Sequence, residues 1–167
     1  MRTARRLQLG FLGTIATIGL TAGMAPTATA APIQPVIGPA PVSVYQIPAV
    51  GLGVSGLVIP GPYAAGVHAS TTPVRGETTF SVPFSPSTCA TTARDVFVHV
   101  NYVNVTTGDR GTAVVKPCPN YLEPAPSHVT VHTGSGPVAF AVSVKGAHYK
   151  PNAGQPSTLG VGGFMAP

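Results

Sequence analysis

The chain has 167 residues, with 20 Gly, 19 Pro, two Cys, no Trp and only 8% charged residues. Soluble domains ordinarily carry ~25% charge, so a long charged helix, a coiled coil and a charged disordered tail are excluded. The length allows one compact unit rather than a multidomain enzyme.

Met1–Ala30 has the three parts of a secretory signal peptide. Arg2, Arg5 and Arg6 open it, Leu7–Leu20 is apolar and uncharged, and Ala28-Thr29-Ala30 closes it, with cleavage expected after Ala30. A retained membrane helix needs ~20 strongly apolar residues, and Gly10, Gly13, Thr14, Thr17 and Gly19 dilute this one. The Arg5-Arg6 pair suits the twin-arginine route, but Gln8 and Gly10 do not, and general secretion is favoured. The Ala/Thr/Pro character of the leader is of the bacterial kind. Secretion, to the extracellular space or the cell surface, is the expected destination.

Three of the nine basic residues leave with the leader. Six bases then face four acids, a formal charge of +2. Those bases lie in six separate segments, whereas phosphate recognition needs clustered cations. Nucleic acid is therefore not an expected partner. Cys89 and Cys118 both fall in the exported part. In an oxidising compartment such a pair reads as a disulfide, closing a loop of about 30 residues and worth roughly 3–4 kcal/mol.

Residues 31–41 hold Pro32, Pro35, Pro39 and Pro41 and form an extended, Pro-rich lead-in. Between later Gly and Pro breakers, short runs of Val, Ile, Phe, Tyr and Thr alternate with polar residues, the pattern of half-buried strands. Val42–Ile47, Val54–Ile59, Gly66–Thr71 and Thr78–Val82 are the first candidates. No helix beyond a turn or two is expected. Asp95–Val105 and Thr112–Lys116 flank a turn at Thr106–Gly111 and predict a hairpin. Pairing outward from that turn places Val105 near Thr112 and His99 near Cys118. Cys89 then lies too early to oppose Cys118, so the disulfide should staple the two ends of the hairpin or bridge to another strand, and not form a simple cross-strand rung.

His128–Thr133 and Val138–Lys145, joined by Gly134-Ser135-Gly136, predict a second hairpin. Val129, Val131, Val138, Phe140, Val142 and Val144 share its core face. Residues 149–167 carry Pro151, Pro156 and several glycines with little apolar period and read as a loose tail, with Gly160–Met165 at most an edge strand. Seven or eight short antiparallel strands over residues 42–148 predict an all-β, immunoglobulin-like β-sandwich, with a closed barrel as runner-up.

The chemistry is sparse. His128 and His132 have the H-x-x-x-H spacing that lets a helix bind zinc. On a strand they lie ~13 Å apart, too far to share one ion bound at ~2 Å, so no metal site is expected. Only four acids exist, giving no evident pair for glycoside cleavage. No nucleophile elbow, P-loop or dinucleotide fingerprint is present, so no catalytic residues and no cofactors are assigned. His128, Thr130, His132 and Tyr102 are the binding candidates. Asn104-Val105-Thr106 has the form of a glycosylation sequon. The Gly-rich apolar stretch Ala49–Val67 reads as core strand with tight turns, or as a contact for a partner, a lipid or a second copy. The expected function is a secreted, non-catalytic β-domain that binds an unidentified protein or envelope component, or builds structure. A small secreted hydrolase using His99, His128 or His132 beside an acid, and a self-assembling surface or pore-forming protein, are the alternatives.

Overall fold

The computed structural model describes residues 39–56 and 60–167. The expected signal peptide, its cleavage after Ala30 and the lead-in up to residue 38 lie outside the described residues. Among the described residues the chain forms eleven strands, all paired antiparallel, and two helical turns of four residues each. This is more strands than the sequence pattern predicts, because several are only two to four residues long.

In chain order the strands are β1 (Pro41–Val42), β2 (Tyr45–Ile47), β3 (Ala49–Val54), β4 (Pro60–Ala65), β5 (His68–Thr71) and β6 (Glu77–Ser81). A helical turn α1 (Pro86–Cys89) and a 3-10 turn (Thr92–Asp95) precede β7 (Val96–Asn104). Then follow β8 (Arg110–Val115), β9 (His128–His132), β10 (Gly136–Gly146) and β11 (Gly160–Ala166). One sheet has the order β1-β5-β6-β9, the other β2-β11-β10-β7-β8, and β3-β4 is a separate hairpin. Both large sheets are open, which corrects the barrel alternative. Edge strands of two and three residues, β1 and β2, provide no ladder long enough to close a cylinder.

The two sheets pack face to face around a Val-rich core. Along β7 the inward set is Val96, Val98, Val100, Tyr102 and Asn104, all buried. Phe80 from the four-stranded sheet meets Tyr102 and Phe164 from the other, with ring centroids 5.9 and 5.7 Å apart. Ring pairs at such distances add ~0.5–1.5 kcal/mol beyond area burial.

Several expectations change in register or partner. The expected first strand divides: β1 joins β5 in one sheet and β2 joins β11 in the other. Pro41, placed in the lead-in by sequence, is already in β1. Among the described residues of the Ala49–Val67 stretch, Ala49, Tyr63, Ala65 and Val67 are buried, whereas Val50 and Ala64 are exposed.

The β7–β8 hairpin forms, but Thr112 faces Asn101 and His99 faces Val114. Asn104 causes the difference. Its Oδ1 accepts from the backbone N–H groups of Thr106 and Thr107, at 2.9 and 3.0 Å, and this side-chain turn ends the strand early. Its Nδ2 donates to the carbonyls of Thr133 and Ser135. Asn104 is fully buried, so the sequon there offers no free amide.

β9 and β10 are not a hairpin. β9 pairs with β6, and β10 lies between β7 and β11. Both strands turn their valines to the same interior, so the core sits between them and the linker crosses from one sheet to the other. Gly134 and Gly136 make that corner with φ of 68° and 112°, a region other residues avoid. Buried Thr133 fixes it, bonding Thr78 Oγ1 at 2.8 Å.

The loose tail expected over residues 149–167 is also corrected. β11 lies inside the five-stranded sheet, hydrogen-bonded to β10 on one side and β2 on the other. Its glycines enable the insertion rather than prevent it. A Cβ on Gly162 would meet the Phe140 ring at 2.5 Å, and one on Gly160 would meet the Ala49 nitrogen at 2.4 Å.

Cys89, at the end of α1, is bonded to Cys118, beyond β8, with Cα atoms 5.6 Å apart. The disulfide thus joins the segment leading into the β7–β8 hairpin to the segment leaving it, as expected.

Candidate functional site

Three surfaces carry the polar or exposed groups that could act. The first is the outer face of the four-stranded sheet. Because Thr78 and Phe80 of β6 point inward, Glu77, Thr79 and Ser81 point out; the same alternation exposes His128, Thr130 and His132 on β9. Register sets them in rows: His68, Ser81 and His128; then Ser70, Thr79 and Thr130; then Glu77 beside His132. Thr79 and Thr130 share a hydrogen bond of 2.7 Å. Three of the predicted binding residues therefore do lie on one face. Tyr102 does not join them. It is buried on the inner face of the other sheet, and its hydroxyl donates to the His132 carbonyl at 3.1 Å.

His128 Nδ1 and Ser127 Oγ lie 2.9 Å apart. They are consecutive, exposed residues with no acid bonded behind the imidazole, whereas a nucleophilic pair needs its base oriented by a third group. His99 is on the opposite side of the molecule, on the outer face of the five-stranded sheet beside Ser143 and Val114. Burial and the Lys145 charge hold it below the usual imidazole pKa. Among the described residues no group of three or more His, Cys, Asp or Glu could hold a metal ion.

The second site surrounds Asp95, at the start of β7. Its Oδ1 accepts from Asn120 Nδ2 at 2.7 Å and Tyr149 Oη at 3.0 Å; its Oδ2 accepts from Lys150 Nζ at 3.0 Å. Arg94 Nε lies 3.5 Å from Oδ1. Burial pushes this carboxyl upward, but the bonds from Lys150 and Tyr149 and the Lys150 and Arg94 charges outweigh it and hold it below the usual carboxylate value. A carboxylate so engaged is a poor proton acceptor. It pins the β7 start, the 117–127 loop and the 147–150 turn together. Beside it Lys116 is 2% exposed, its Nζ without a hydrogen-bond partner among the described residues and 4.0 Å from the Phe97 ring centroid. Burial holds this amine below the ordinary lysine pKa, against the opposing pull of Glu123 and Asp95.

The third surface is the outer face of the five-stranded sheet, which sequence reasoning missed. Its rows run Tyr45, Gly163, Ala139, Val103, Arg110, and Ile47, Val161, Ala141, Asn101, Thr112. On the β2-β11-β10 side it is apolar, with Tyr45 81%, Ile47 69% and Met165 64% exposed. Beyond one end of this face, Val105 is 68% exposed. A shallow groove of about 640 Å³ runs there between Val42, Tyr45, Val105, Pro137 and Met165. Among the described residues that line it, Tyr45 is the sole ionisable side chain. The available signal was the alternation itself: reading Gly160–Ala166 as an interior strand would have set Val161 and Met165 outward.

Compared with protein-family models, with curated proteins and with solved structures, the chain matches none. The fold stands as an antiparallel two-sheet β domain, and the reading of its role rests on these surfaces.

Proposed function

We propose that this chain is a secreted, non-catalytic β-domain of immunoglobulin-like build, binding a protein or envelope component at the cell surface or outside the cell. One observation carries the reading: the outer face of the five-stranded sheet exposes apolar side chains beside a groove whose described lining offers contact area and, in Tyr45, a single ionisable side chain. Six exposed apolar side chains lie on and beside it, Tyr45, Ile47, Val103, Val105, Val161 and Met165, and a contiguous exposed apolar patch rimmed by polar groups marks an interaction site. The leader pattern and the Cys89–Cys118 bond accord with an oxidising destination.

The test is retention of the mature chain, starting at Ala31, on the host's isolated envelope and in its culture supernatant. Wild-type protein should be retained, and the Tyr45→Glu, Ile47→Lys double variant should lose most of that retention. Turnover of ester, peptide or glycoside substrates that is abolished by His128→Ala would overturn the reading in favour of the hydrolase.

A further inference from the structure

The loop between β8 and β9, residues 116–127, is braced on both sides of two apolar side chains that stand in water. The Cys89–Cys118 disulfide ties its start. Asn120 Nδ2 donates to Asp95 Oδ1 at 2.7 Å, and Asn120 Oδ1 accepts from the Leu122 amide at 2.9 Å, a side-chain turn that fixes the tip. Glu123 Oε2 accepts from the His148 amide at 2.9 Å, and the Pro126 carbonyl accepts from the Lys116 amide at 3.0 Å. Pro117, Pro119, Pro124 and Pro126 restrict the backbone further. Yet Tyr121 is fully exposed and Leu122 is 77% exposed. Side chains so placed add nothing to the core, and a rigid support that holds them outward points to a contact made outside the chain.

Charge indicates its kind. The bases beyond the leader lie in separate segments of the sequence, but the fold gathers them. β7 runs from Val96, beside this loop, to Asn104, roughly 26 Å away. Arg94 and Lys150 meet Asp95 at the loop end, Lys116 opens the loop, and Lys145 lies opposite Phe97. The acids there are Asp95 and Glu123, so four bases against two acids give this end a formal charge of +2. At the Asn104 end, Arg75 and Arg110 are cancelled by Glu77 and Asp109. Asp95 is buried, whereas Arg94, Lys145 and Lys150 reach solvent. We propose that this end of the domain docks on an anionic lipid bilayer, with Tyr121 and Leu122 entering the boundary between headgroups and acyl chains and Arg94, Lys145 and Lys150 facing the lipid phosphates.

The contact goes beyond the sheet-face reading and uses separate residues. A protein partner fits this tip less well. Protein interfaces carry about one hydrogen bond per 100–200 Å², whereas Asn120 and Glu123 are already engaged and four prolines in the loop have no N–H to give. A bilayer asks for the opposite: projecting apolar tips with few polar groups left unpaired. Tyrosine suits its interface, with an apolar ring and a wet hydroxyl, and exposed cations suit anionic headgroups.

The mature chain should co-sediment with vesicles of phosphatidylglycerol and phosphatidylcholine, but not with phosphatidylcholine alone, and about 0.5 M salt should release it. Tyr121→Ser and Leu122→Ser should each weaken binding about tenfold, and Lys145→Gln about fivefold. Val74→Ser, in the β5–β6 turn at the Asn104 end, should leave it unchanged. All four side chains are exposed, so loss of the fold does not confound the series. The chain has no Trp, and Tyr121→Trp therefore supplies a single reporter whose emission should move to the blue when vesicles are added. Absence of co-sedimentation overturns the proposal. So does binding that survives both serine substitutions, equal binding to phosphatidylcholine alone, or an unshifted Tyr121→Trp emission from sedimented protein. Retention on envelopes that needs Tyr121, without vesicle binding, overturns it in favour of a protein partner. The sheet-face reading is judged separately, by the Tyr45 and Ile47 variant on whole envelopes.

Discussion

Replacing Lys116 with Met should stabilise the protein. Lys116 is 2% exposed, and its Nζ has no hydrogen-bond partner among the described residues. A buried group left in that state costs ~1–3 kcal/mol, more when charged, and the Phe97 ring 4.0 Å away returns ~0.5–2 kcal/mol by cation–π attraction. Met keeps the straight apolar stem and fills nearly the same volume. The balance is a gain of about 1–2 kcal/mol. With a urea m-value of ~2 kcal/mol/M, the unfolding midpoint should rise by about 0.5–1 M.

The pH dependence gives a second signature. Burial lowers the folded amine's pKa, so between that value and the ordinary 10.5 the unfolded chain binds more protons, and wild-type stability rises with pH. The advantage of Lys116→Met should be full below the folded pKa and shrink as pH climbs toward 10.5. Urea melts of both proteins across neutral and alkaline pH measure both effects. A variant destabilised by more than about 1 kcal/mol at neutral pH would refute the argument, since it would mean that the amine is well satisfied.

Replacing Cys89 and Cys118 together with Ala should cost about 3–4 kcal/mol of unfolding free energy, read by urea melts, through the loop entropy returned to the unfolded chain. Asp95→Ala should cost about 2 kcal/mol, less than a wholly buried pair would because Lys150 and Arg94 are about half in water. The Asp95 pKa is lowered on folding, so its contribution is full above the usual carboxylate value and is lost as pH falls from that value through the lower folded one; the two proteins should converge in stability only below the folded value. Phe164→Ala should cost about 3–4 kcal/mol in the same assay, since this ring is 5% exposed and meets Phe80 and Phe140. A loss under ~0.5 kcal/mol would return residues 149–167 to the status of a loose tail.

Local pattern by itself determined the strands around Thr78–Val82, Asp95–Val105, Thr112–Lys116, His128–Thr133 and Val138–Lys145, which side of each is apolar, and that Cys89 pairs with Cys118, but it misplaced a strand at Val54–Ile59, where Ser55 and Gly56 lie between β3 and β4. Alternation of valine with polar residues acts within a few positions, so Val98, Val100, Val142 and Val144 could be assigned to the interior before any partner was known. Pairing partners were a different matter. Val129 and Val138 share an interior whether their strands lie side by side or across the core, and only packing decided for the latter. Glycine was ambiguous for the same reason: at Gly160 and Gly162 its missing side chain reads as looseness in one dimension, and is what lets β11 slip between β2 and β10 in three. The candidate surface became visible only with that insertion, because exposure belongs to the assembled sheet, and Tyr45, Val161 and Ala139 become neighbours through hydrogen bonds between segments far apart in the chain.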